Sequence, residues 1–171
     1  EFIQFDRLIK TLKKRNAVKD SIAILYGTDD VVSKAVGMYI MKPILTKEKV
    51  NITGPIGFAT KAFDLAPQVS QLKGKKIDYV GLAGITPVAI RVLKEMRRQG
   101  IKAPIIGGQI WADPEIVEKM GKDGDDAVFT TSFYYDLNEK TRNFTKKFVD
   151  GAKKKGIVKP FPHHVDAAAY D

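Results

Sequence analysis

A chain of 171 residues, 44% hydrophobic and 29% charged, is long enough to bury one core without help from disulfides or metals. It carries no apolar run of transmembrane length, and with no cysteine it excludes a disulfide framework, a thiolate nucleophile and a cysteine zinc site. The net charge of +9 raises nucleic acid as a partner, but the bases are spread over several segments, mostly at expected helix ends where cations favour the carbonyl end of the dipole, so no nucleic-acid face is expected.

In chain order, Phe5, Leu8, Ile9 and Leu12 recur at helical spacing and predict an amphipathic first helix with a basic end before Asn16. "SIAILYG" is a continuous apolar run of strand length, as in strands covered on both faces. Residues 32–42 carry Ala35, Val36, Tyr39 and Ile40 on one side, a helix that Pro43 should end or kink. "VNITGPIGF" is a second strand, broken by Gly54-Pro55; Asp64 then suits an N-cap before a helix burying Leu65, Val69 and Leu72. "IDYVGLAG" is a third strand. Thr86-Pro87 after it is a helix start, with the hydroxyl as cap, and the apolar stripe of Val88, Val92, Leu93 and Met96 runs to a stop at Gly100.

"APIIGG" is the fourth strand, Asp113-Pro114 another helix start, and "DAVFTTSF" the fifth strand. A long helix follows from about Asn138 to Lys155, with Phe144, Phe148 and Ala152 facing inward. Strand and helix alternate throughout, so the fold class is α/β: a three-layer sandwich with a mainly parallel sheet of about five strands and helices on both faces.

Ligands of such sheets collect beyond the carboxyl ends of the strands, near the point where strand order reverses. Enzyme chemistry finds no anchor in those loops. The first strand-to-helix turn, "YGTDDVVSK", has too few glycines for a dinucleotide fingerprint. A receiver domain would need an acceptor aspartate where "GLAGITP" stands, and no G-x-S-x-G nucleophile turn occurs. His163 and His164, adjacent in a proline-flanked tail, read as surface or helix-start structure, because neighbouring side chains on a helix point apart. No catalytic residue, metal or cofactor is expected.

Binding fares better. Gly107 and Gly108 let backbone approach a ligand, Gln109 offers a donor and an acceptor, and Trp111 offers an aromatic face, or else closes the core over a tight turn. Asp29 and Asp30 are ligand contacts or caps of the next helix. Thr86 is a cap first and a ligand donor second, and Tyr134 belongs to an aromatic stretch that either meets ligand or covers a sheet edge.

The order of "IAILYGTDD", "TKAFDLAPQVSQLKGKKIDYVGLAG", "VLKEMRRQGIKAPIIGGQIWADPEI" and "HHVDAAAYD" resembles the type I periplasmic substrate-binding proteins of ABC transporters, in the leucine, isoleucine and valine-binding group. The resemblance covers the second lobe only. It implies that residues 1–160 form that lobe and 161–171 begin the crossover to a first lobe not contained here. It also implies an extracytoplasmic location, periplasmic or cell-surface, a small solute held between lobes, and a membrane permease as partner. A ligand-sensing domain of a regulator with the same fold is the alternative, and an α/β enzyme ranks third. Carried over by position, the family's acidic residue after the fourth strand falls on Gln109, its tyrosine after the first strand near Val31, and its aromatics after the third strand near Ile85 and Thr86. Those three departures disfavour an ordinary amino acid as ligand.

Overall fold

A computed structural model describes residues 1–169 and turns each apolar run into a parallel strand. Helix α1 (Phe2–Lys14) buries Phe5, Ile9 and Leu12 at the predicted spacing. Strand β1 (Ser21–Gly27) leads into α2 (Val31–Ala35), a π-helical segment (Val36–Met41) and α3 (Lys42–Lys47), then β2 (Asn51–Phe58) and α4 (Ala66–Ser70). Strand β3 (Tyr79–Ala83), α5 (Thr86–Arg98) and β4 (Ile105–Gly107) follow. A 3-10 turn (Gln109–Ala112), α6 (Pro114–Met120), a second such turn (Gly121–Gly124), β5 (Val128–Phe129), α7 (Glu139–Lys154) and α8 (His164–Ala168) complete the order.

The five strands lie in the order β2-β1-β3-β4-β5, all parallel. Period-two alternation sends Ile22 and Ile24 of β1 to one face and Ala23 and Leu25 to the other, so the central strand must be apolar throughout. The first face packs on α1, the π segment and α3 through Phe5, Ile9, Met41, Ile44 and Leu45. The second packs on α4, α5 and α6 through Val69, Val92, Leu93, Met96 and Ile116. Each fully buried Leu or Ile contributes about 1.5–3 kcal/mol, so the two layers together supply the driving force for the three-layer sandwich.

Helix α5 ends as the sequence predicts. Gly100, at φ +80°, takes the left-handed turn, and the N–H of Ile101 closes on the Met96 carbonyl at 2.9 Å. Arg97 fastens that end by donating to the carbonyls of Ile101 (2.6 Å), Ala103 (3.1 Å) and Asp123 (3.0 Å).

Several expectations are corrected. Pro43 does not end its helix: the chain passes through the π segment and continues into α3, the wider turn absorbing a residue that has no N–H to donate. Tyr39 is consequently turned out and stays 69% exposed. Gly54-Pro55 does not break β2, which is an edge strand and tolerates a missing donor. The register against β1 shifts between Ala23 and Leu25 instead, with Gly54 at φ +95°. Asp64 accepts from the Ala66 N–H at 2.8 Å, but the residue at the N-cap of α4 is Leu65.

The fifth strand shrinks to two residues, Val128 and Phe129. Helix α7 starts at an Asn138–Thr141 capping box, yet buries no residue fully. Its Phe144 meets Phe133 edge-on at 5.6 Å and Phe148 at 6.1 Å, a satellite cluster and not the main core. Of the closing "VDAAAYD", Tyr170 and Asp171 lie outside the described residues.

Candidate ligand site at the carboxyl edge

Strand order reverses at β1, which has β2 on one side and β3 on the other, so the crevice at the carboxyl ends of β1 and β3 is where a ligand is expected in this topology. The loop after β1 builds its own support. Asp30 caps α2, its Oδ2 accepting from the backbone N–H and the hydroxyl of Ser33, both at 3.1 Å. Asp29 reaches across to the loop after β2: Oδ1 accepts from the Thr60 N–H at 2.7 Å and Oδ2 from the Thr60 hydroxyl at 3.1 Å. The backbone donor of Thr60 holds the Asp29 carboxyl below the usual carboxylate range. Both acids are thus engaged in building the strand end. Val31, at the first turn of α2, is left 84% exposed.

The loop after β3 differs from the sequence expectation by one position. Ile85 is the N-cap of α5, extended at ψ 152°, and the helix start carries no side-chain cap. Thr86 is already helical, so its hydroxyl does not cap, and its role as a ligand donor is the one still open to it. It lines a cleft of about 960 Å³, together with Ile110 and Asp113 near the fourth strand and Phe161, His163 and His164 from the tail. Ile85 itself is 42% exposed.

The bare strand end of β4 has two occupants of its own. A Cβ on Gly107 would overlap the Trp111 indole, and one on Gly108 would overlap the Glu1 carboxylate. The glycines therefore admit protein side chains at these two points, and Gly108 is covered by Glu1. Trp111 is fully buried, and its indole N–H donates to the Leu82 carbonyl at 3.2 Å. It closes the core beneath the loop, and its candidacy as a ligand wall is withdrawn: an aromatic ring with no exposed surface presents no face to a solute.

Gln109 behaves differently. It is half-buried, and its Oε1 accepts from the Ser132 hydroxyl at 2.5 Å and from the Ser132 N–H at 3.3 Å, bridging the loops after β4 and β5. Tyr134, two residues beyond this bridge, is 50% exposed and lies 4.9 Å from the Tyr135 ring, which stacks on Phe161 at 4.7 Å. The hydrogen bond to Tyr135 pushes the Tyr134 hydroxyl up from its ordinary value.

Thr60 and Phe161 enter the site without having been singled out by sequence. No local pattern marks them, because each meets its partner from a distant loop. The histidine pair stands at a helix start, as expected, but its two rings do not point apart. Helix α8 begins at His164, leaving His163 outside helical geometry, and the two rings approach to 3.8 Å. Burial, and then the neighbouring His163, push the His164 imidazole below its ordinary value. Among the described residues, no group of three or more histidines and carboxylates is placed to hold a metal, and no helix is long and apolar enough to cross a membrane.

A family model described as periplasmic binding protein matches residues 3–171. The chain belongs to the periplasmic binding protein family. Among solved structures it is similar to a leucine-binding protein from Thermotoga maritima, with a TM-score of 0.78 and 20% identity over 99% of this chain and 46% of that one. A putative branched-chain amino acid ABC transporter from Silicibacter pomeroyi gives 0.76 and 11% identity over 97% and 42%. An extracellular ligand-binding receptor from Verminephrobacter eiseniae gives 0.73 and 14% over 96% and 48%. Comparison with curated proteins found no match. These identities speak for the fold of this periplasmic binding protein, and the chain spans about half the length of the solved structures it matches.

Proposed function

We propose that this periplasmic binding protein is one jaw of an extracytoplasmic, two-lobed solute receptor that closes on a small organic molecule and hands it to an ABC permease. The observation that carries the reading is the carboxyl edge of the sheet. There Val31, Ile85 and Tyr134 are exposed, and Thr86 lines a cleft of about 960 Å³, although the rest of the sheet is covered on both faces. Apolar side chains left in water at this edge lose the burial term, and a ligand held against a second jaw restores it. Closure then follows from differential affinity: the solute touches both jaws only in the closed form, and that difference alone shifts the equilibrium.

The partners named by similar structures share small organic chemistry: leucine, branched-chain amino acids and, in a protein from Thermomonospora curvata, fatty acid. An apolar lip suits a solute with an aliphatic or aromatic body. The experiment is a thermal-shift screen of the intact two-lobed protein against small carboxylates, amides and amino acids. A solute at 100 times its Kd should stabilise by about 2.7 kcal/mol and raise the melting temperature. Failure of every compound to do so, in a protein that melts cooperatively, would overturn the reading.

A further inference from the structure

We infer that Gln109 presents a hydrogen-bond donor to the solute, so that the ligand group meeting this lobe there is an acceptor oxygen, a carbonyl or carboxylate, and not an ammonium. The inference rests on the solute-binding reading and narrows its chemistry. A glutamine amide has one acceptor and one donor end, and which end faces outward is decided by the neighbours. Here the Ser132 backbone N–H, which donates only, lies 3.3 Å from one end and therefore identifies it as the oxygen. The Ser132 hydroxyl donates to the same atom at 2.5 Å.

The other end is the NH₂ group. Among the described residues Nε2 has no hydrogen-bond partner, and it is not one of the enclosed, unpartnered atoms, so it reaches solvent at the carboxyl edge. An ammonium brings three donors and no acceptor. Placed against Nε2 it would set donor against donor. The carboxylates that follow β1, on the far side of β3, do not compensate, because Asp29 is tied to Thr60 through both oxygens and Asp30 to Ser33 through the cap. A carbonyl or carboxylate oxygen at the same place completes the amide. Ile85, exposed after the adjoining strand β3, and Val31, exposed at the start of α2 after β1, supply apolar surface for the body of the molecule.

The test uses matched pairs on the intact two-lobed protein: leucine, valine and phenylalanine, each beside its own keto acid, measured by isothermal calorimetry. Each pair differs at one carbon, where the ammonium is replaced by a carbonyl. Wild type should favour the keto acid by at least about tenfold in at least one pair, the scale of leaving a charged donor unpaired. Gln109→Glu keeps the Ser132 bridge on one oxygen and turns a carboxylate oxygen outward, so it should invert the preference, with an unchanged melt of the free protein showing that the fold is intact. Equal or tighter binding of the amino acids by wild type, or a preference unmoved by Gln109→Glu, would overturn the inference and leave the solute-binding reading standing. Binding of none of the six compounds would overturn the inference as well, and the broader thermal-shift screen then tells whether the receptor reading falls with it.

Discussion

Replacing Trp111 separates a core tryptophan from a ligand-facing one. Its ring is fully buried over Gly107, and its N–H donates to the Leu82 carbonyl at 3.2 Å. Trp111→Ala removes the largest fully buried side chain of the chain. Large-to-small changes of this kind cost about 3–5 kcal/mol, to be set against a total stability of roughly 5–15 kcal/mol. Trp111→Phe keeps most of the volume but strands the carbonyl, a loss of about 1–3 kcal/mol. Urea unfolding followed by circular dichroism reads both. With a slope of about 1–3 kcal/mol per molar, the alanine variant should lose at least about 1 M in its midpoint, and phenylalanine should fall between it and wild type. Since Trp111 is the only tryptophan, wild-type emission should be blue-shifted and resist iodide quenching. An unchanged midpoint in Trp111→Ala, combined with weakened solute binding, would refute the placement of the ring in the core and return it to the cleft.

Two further outcomes test the electrostatics. Glu95 is held at about 2, first by the Arg98 guanidinium and then by the Gln99 amide, so its carboxyl resonance should titrate far below the ordinary 4.5 and move back up in Arg98→Ala. The folded value lies below the unfolded one, so the contribution of this pair is complete above about 4.5 and is lost as pH falls toward about 2. A Glu95 titration near 4.5 in wild type would show that the ion pair does not hold in solution. At the other end of the sheet, Asp29→Ala should free the loop after β2 and speed exchange of the Thr60 amide hydrogen, which Asp29 accepts at 2.7 Å. Unaltered exchange would mean that Asp29 does not secure that loop.

The alternation of elements was legible in the chain itself. Strands β1, β3 and β4, the stripe of α5 and its stop at Gly100 all follow from apolar period, caps and breakers, which act within a few residues of one another. The places where expectation failed are those where a neighbour overrides a local rule. Edge position lets β2 run through Pro55, a π segment carries the chain past Pro43, and the extended Ile85 takes the cap position from Thr86.

The same division runs through the site. Its location follows from topology that the sequence pattern already implies, since alternating units leave loops at the carboxyl ends of a parallel sheet. The role of each residue there does not. Sequence left Trp111 between core and ligand, and a carbonyl 29 positions away, on β3, draws it inward. Sequence showed a glutamine with both a donor and an acceptor to offer, and a serine 23 positions away uses the acceptor and leaves the donor facing out. Hydrogen-bond partners so far apart in the chain leave no periodic trace, and only the folded sheet, by bringing β3, β4 and the loop after β5 side by side, decides which face of each residue meets protein and which meets solvent.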